Sequence, residues 1–305
     1  MPEPFVRQRH RRLFKERYRA MVFVGCLGLA LNGVAGCTQR VDSAEVPVAP
    51  RTPLLPIPTA DFLPATAEQH ALPPPATEEP QPIVGVNEEV QRAIRSATRE
   101  VGIGTTYLMV VAARESSFDP RRHAHRTSAT GLYQFTVDTW LRSVRAFGAR
   151  HGLEAYARQI TVDRSGAVSM RDTAARARLL RLRANPRLSA LMAAELARDN
   201  AARLQRILGR PVTPAELYIA HLLGVTQAAR VIEAACSAPH TAGARLLPAA
   251  ARTNPELFKP RGRVASADAI VAEITAHYRR QEQRFVPYIG TNVAAYSPDK
   301  TDMPD

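Results

Sequence analysis

Cysteine is scarce in this chain of 305 residues, with three in all. Cys26 and Cys37 sit in and just after an N-terminal apolar run, which leaves Cys236 alone, so no disulfide framework is expected. Cys236 reads as a small buried side chain rather than a reactive thiol. Metal ligands are missing too: His123 and His125 have no cysteine or acid at ligand spacing, so no metal is expected. No glycine-rich phosphate loop is present, and no cofactor is expected. Internal repeats and a convincing run of strands are absent. The longest apolar run, residues 21–34, is too short to span a bilayer comfortably. Acidic residues are outnumbered, 28 against 41 Lys and Arg, for a net charge of +13. That excess favours polyanionic or membrane-rich surroundings, although an Arg-rich solvated face would account for it equally.

The N-terminus is organised as an address. Residues 1–20 hold seven Lys or Arg against two Glu, residues 21–34 are apolar apart from glycines and Asn32, and Val34-Ala35-Gly36-Cys37 follows. A positive region, a short apolar region and a small-residue site, in that order, make a secretory signal peptide. The last four residues resemble the lipobox of bacterial lipoproteins. That resemblance implies that Cys37 is lipidated and becomes the mature N-terminus, with a periplasmic domain anchored to a membrane. Cleavage without lipidation and an uncleaved anchor are the alternatives. Thr38 stands where some bacteria place an aspartate for inner-membrane retention, which favours the outer membrane. Export removes nucleic acid as a partner, since only charge speaks for it. Residues 1–37 are thus expected to be the signal peptide. Residues 38–86, with recurrent prolines, form an extended tether; residues 87–282 form one helical domain; residues 283–305 are a disordered tail.

Within 87–282 the pattern is helical, and the fold class is mainly α. Val86, Val90, Ile94 and Val101 can share one face, and Gly102 and Gly104 break that helix. Thr105 is placed to cap a helix over 106–114 that is apolar nearly all round and so expected to be buried. Residues 128–135 read as a short irregular or hairpin segment around Gly131. Thr136 is placed to cap a helix over 137–150 carrying Trp140, the one tryptophan. Asn185 and Pro186 open a helix to Leu208 that Gly209 ends. Thr213 and Glu216 form a capping box, with Pro214 at the first helical position, for a helix over 215–235 with Tyr218, His221, Leu222 and Val225 along one side. Ser266 caps a last helix over 267–281.

The chemistry is concentrated in residues 114–135. Glu115 ends the apolar run 107–113 and projects from the same face as Val111 and Ala112. A carboxyl against that much apolar surface is a candidate proton donor near neutral pH. Read alone, it is also a helix-end glutamate that pairs with Arg114 or Arg121. Asp119 is explained as a turn residue before Pro120, and Asp138 as a first-turn helix residue, so no partner acid stands out. Arg121, Arg122, His123, His125 and Arg126 form a basic loop that could meet anionic groups of a polymer.

Three blocks together resemble the lysozyme-like soluble lytic transglycosylases over roughly residues 87–278. Glu115-Ser116 with Phe118 and Pro120 resembles the family's catalytic Glu-Ser block. Ser128 with Gly131-Leu132-Tyr133-Gln134 resembles its Gly-Leu-Met-Gln block, with Tyr133 where Met is usual. Tyr218 in an apolar helix resembles the tyrosine of its Ala-Tyr-Asn block, with Ile219 in place of Asn and His221 one turn on. The resemblance implies a lysozyme-like fold and cleavage of the β-1,4 bond between N-acetylmuramic acid and N-acetylglucosamine in peptidoglycan, leaving 1,6-anhydro ends. Glu115 would act as acid and then base. Tyr218 would hydrogen-bond Glu115, Ser116 would bond near the glutamate or the sugar, and Tyr133, Gln134 and Phe135 would line the groove. His221 is expected to face the cleft in place of the missing Asn, or to be a core histidine. The expected partners are glycan strands, the membrane through the lipid anchor, and an envelope assembly of unknown identity. A muramidase that uses water and a non-catalytic peptidoglycan-binding lipoprotein are the alternatives.

Overall fold

Asn87 opens helix α1 (Glu88–Val101) by accepting from Glu89 N–H, and Gly102 closes it in the left-handed conformation that spares a Cβ. The computed structural model describes residues 83–289, and they are mainly helical. Cys37, the tether to residue 82 and residues 290–305 lie outside the described residues.

Helix α2 (Thr105–Glu115) buries every residue from Thr106 to Ala112, as an apolar circumference demands. Its cap differs from the expectation. Thr105 is the first helical residue, Gly104 is the cap, and the Thr105 hydroxyl lies 2.9 Å from that of Thr98, joining α2 to α1. The helix after Thr136 is shorter than 137–150. α3 (Val137–Phe147) passes into a 3-10 turn, Gly148–His151, where a Cβ at Gly148 would crowd Val144 and Leu153. After α4 (Glu154–Ala157) comes a hairpin that the sequence did not announce. β1 (Ile160–Val162) pairs antiparallel with β2 (Val168–Met170), and the Asp163 carboxylate accepts from the turn's backbone at Ser165 and Ala167. Three-residue strands carry too little alternation to be read from a pattern.

α5 (Thr173–Arg181) leads through a 3-10 turn, Leu182–Ala184, to the longest helix, α6 (Pro186–Leu208), capped by Asn185 and ended by left-handed Gly209. α1 packs along α6, which also touches α3 and the next two helices. The capping box of Thr213 and Glu216 opens α7 (Pro214–Leu223). The expected single helix over 215–235 is two: Gly224, at φ 81° and ψ 149°, leaves helical geometry before α8 (Val225–Ser237). A glycine inside a strongly helical run was the signal for that break. Short helices α9 (Gly243–Leu246), α10 (Pro248–Thr253) and α11 (Pro255–Phe258) follow, the last two each starting on a proline. α12 (Ala267–Glu282) packs on α8, α7 and α2, and α13 (Val286–Ile289) ends the described chain. Ser266 turns its hydroxyl to Asp268 and not to a backbone N–H.

Packing runs past both expected ends of the helical region. Ile83 is buried and exchanges hydrogen bonds with the Gln91 side chain, and Phe285 is buried with its ring edge-on to Phe118 at 5.8 Å. Cys236 corrects another expectation: it is exposed, near the end of α8.

Candidate active site

Three stretches far apart in sequence meet at the C-terminal end of α2. Ser116 is buried, and its hydroxyl donates to Leu132 O at 2.8 Å, which fastens the helix end carrying Glu115 to the turn around Gly131. Its hydroxyl is thus given to backbone carbonyls, Leu132 O and Ala112 O, and not to the Glu115 carboxyl. Beyond it Ser117 and Phe118 both have positive φ, 57° and 68°, and the chain closes back on α2 through Ser117 N–H to Ala113 O. Non-glycine residues in this conformation cost about 1–3 kcal/mol each, and such strain gathers where a side chain must be aimed.

The turn itself is built around Gly131 and Gln134. Gly131 has φ 88°, and a Cβ there would lie 2.0 Å from Arg183 O, so both conformation and space require glycine. Gln134, also at positive φ, donates from Nε2 to Arg122 O at 3.0 Å and Gly131 O at 2.9 Å. Its amide nitrogen thus holds the basic loop against the turn. Arg183 grips the same segment from outside, donating from Nη1 to Ser128 O at 2.6 Å and Phe135 O at 3.0 Å. Burial, with Arg176 nearby, lowers the pKa of this guanidinium. Phe135 packs edge-on to Trp140 at 5.2 Å, and Trp140 Nε1 donates to Leu179 O at 3.0 Å.

α7 brings the third stretch. His221 Nε2 lies 3.2 Å from Glu115 Oε1, and Arg114 Nε lies 3.6 Å from the same oxygen. The Glu115 side chain is 18% exposed. The Tyr218 ring is fully buried, stacked near-parallel to His221 on one contact and to His277 on another, with centroids 6.0 Å apart in each case. Burial raises the Tyr218 phenol's pKa; Arg114 opposes the shift and Glu115 adds to it. The expected bond from Tyr218 to Glu115 is not made; the buried hydroxyl is turned to Arg114 instead.

A narrow cleft, with a cavity volume of about 30 Å³, lies beside this junction. Leu108 and Val111 of α2 and Phe135 give it apolar walls; Tyr133, Gln134, Thr136, Thr139, Asn200 of α6 and His221 add polar groups. Tyr133 donates to Leu108 O at 3.4 Å, and burial, then Tyr107, holds its phenol well above the ordinary range. Glu115 is not in the wall of this enclosed part, and His221 links the two. No family model matches the chain.

The structure thus brings Glu115, Ser116, Tyr133, Gln134, Phe135, Tyr218 and His221 into one neighbourhood. Asp119, exposed, accepts from Arg121 N–H at 2.9 Å, and Asp138 is bound by Arg142 at 2.8 Å, so each has its own local partner. Among the described residues no cluster of His, Cys, Asp and Glu could hold a metal ion. Sequence reasoning named Arg114 as a partner of Glu115, and the structure pairs the two; it missed Arg183 as the staple of the turn, and Asn200. Asn200 was within reach, since residues 193, 196, 197 and 200 follow helical spacing along one face of α6. Arg183 had no signal to separate it from the other arginines.

Proposed function

We propose that this chain is a peptidoglycan lytic transglycosylase of lysozyme-like fold, exported and lipid-anchored through Cys37. The convergence carries the reading. The Glu115-Ser116, Gly131–Gln134 and Tyr218–His221 blocks, spread over more than a hundred residues, join through Ser116 to Leu132 and His221 to Glu115 beside one cleft. Glu115 protonates the leaving glycosidic oxygen and then takes the proton of the muramyl 6-hydroxyl as that oxygen attacks C1. The substrate's N-acetyl group shields C1 between the two steps, which fits a site in which Asp119 and Asp138 are engaged elsewhere. The apolar walls of the cleft suit the faces of sugar rings, and its hydroxyl and amide groups suit their substituents. Glycan strands are the substrate, and the lipid anchor and tether place the domain in the periplasm, on the outer membrane.

The test is incubation of the full-length chain with purified sacculi, followed by mass spectrometry of the released fragments. Anhydro-muropeptides from the wild type, and at least about 100-fold less from Glu115→Gln, are expected. Products heavier by one water would make the protein a hydrolytic muramidase. Binding to sacculi with no release from either protein would make it a non-catalytic peptidoglycan-binding lipoprotein.

A further inference from the structure

Tyr218 and His221 lie three residues apart on α7, and both are candidates for the group that aims Glu115. The geometry separates them. The Tyr218 hydroxyl is fully buried and makes no hydrogen bond to Glu115, while His221 Nε2 is 3.2 Å from Glu115 Oε1. We infer that His221, and not Tyr218, is the positioning residue for the Glu115 carboxyl, and that Tyr218 serves as the flat surface that fixes the imidazole plane. The inference rests on Glu115 being the acid and base.

Several observations lead to it. The closest approaches of both His221 and Arg114 are to Oε1. A donor on Oε1 leaves Oε2 to carry the transferable proton. The proton leaves Oε2 for the glycosidic oxygen and returns to Oε2 from the attacking hydroxyl, so the His221 Nε2–H bond persists through both steps. Tautomer follows from this bond: Nε2 carries the hydrogen. The ring plane is held by the stack on Tyr218, at 19° between planes, and Tyr218 is itself backed by His277 and by Tyr278, whose centroid lies 5.5 Å away. His221 also lines the cleft, so the carboxyl it holds is oriented from the side on which a substrate enters.

Four variants of the full-length chain, three read by kinetics and Glu115→Gln by its spectrum, test this. Tyr218→Phe keeps the stacking face and removes only the hydroxyl, so kcat should stay within about 3-fold of wild type. His221→Ala should lower kcat about 30- to 100-fold with KM within about 2-fold, the signature of lost orientation. His221→Gln restores an N–H donor at the same reach and should recover most of that loss. In substrate-free protein, the ¹⁵N imidazole signals of His221 should report an Nε2–H tautomer and shift in Glu115→Gln. The inference is overturned if Tyr218→Phe falls as far as His221→Ala, if His221→Gln is no better than His221→Ala, or if the imidazole signals ignore Glu115→Gln. An inactive wild type with the spectral shift intact would instead remove the transglycosylase reading and leave the pairing standing.

Discussion

Glu115 and Glu195 are both carboxylates held by a histidine and by arginine, and they are held differently. Glu195, in the middle of α6, is 2% exposed and saturated with donors. Arg150 Nη1 lies 3.1 Å from each of its oxygens, His151 Nε2 lies 2.9 Å from Oε1, and Arg198 Nη2 lies 2.7 Å from Oε2. His151 reaches on through Nδ1 to Glu100 at 2.9 Å, so the network ties α6 to the 3-10 turn after α3 and to the end of α1. Glu115 is more open, its contacts are longer at 3.2 and 3.6 Å, and two strained residues follow it. A carboxylate with both oxygens taken is a fixed charge that joins elements. One held from a single side, at the end of a helix beside a cleft, retains an oxygen's worth of capacity for proton transfer.

The two glutamates should therefore fail in opposite ways. Glu195→Gln leaves the buried His151 and the half-exposed Arg150 and Arg198 facing a neutral amide, and about 1–3 kcal/mol of stability should go. Its folded fraction should still cleave sacculi. Glu115→Gln should unfold within about 1 kcal/mol of wild type, or slightly later, while cleavage is lost. Denaturant unfolding and product release measured on the same preparations decide it. A Glu195→Gln protein as stable as wild type would end the contrast.

Much of the frame around both sites was legible in the sequence, because it is written in local rules. Asn185, Gly209 and the box of Thr213 and Glu216 set helix ends through contacts within four residues, and the structure has them where those rules put them. The neighbourhood of Glu115 was legible only through the resemblance of three blocks, since neither periodicity nor capping says that residue 116 meets residue 132. What was illegible is long-range and polar. The Glu195 network joins residues 44 and 45 apart, and Arg183 reaches back 55 residues to Ser128. Nothing near either residue marks it as buried. Gly224 was misread because the apolar run continues across it and masks a backbone that only glycine adopts easily.

Gly131→Ala sharpens the contrast at the next level down. The Glu115 side of the molecule depends on a turn with no slack: left-handed backbone, with Arg183 O where a Cβ would go. The methyl should cost about 2–4 kcal/mol, part from the disfavoured φ and part from the displaced backbone. Because Ser116 is fastened to this turn, kcat should fall as well, whereas Glu195→Gln should leave kcat alone. Comparable kcat values for the two variants would mean that the turn does not aim Glu115.

The smallest effect concerns acid, and it should map to the same side. His277 packs on Tyr218, and burial, then Arg114 and Arg280, pushes its imidazole down to about 4 from an ordinary 6.5. The unfolded chain therefore binds this proton more readily than the folded one between those values. His277 contributes its full stability above about pH 6.5, loses it as pH falls toward 4, and changes nothing further below that. The total change is at most about 3 kcal/mol. Unfolding free energies measured between pH 7 and 4 should show this slope in wild type and in Glu195→Gln. His277→Gln, which keeps a polar amide of similar size and cannot charge, should flatten it. A slope that survives in His277→Gln would place the acid-sensitive group elsewhere and detach the packing behind Tyr218 from the pH response.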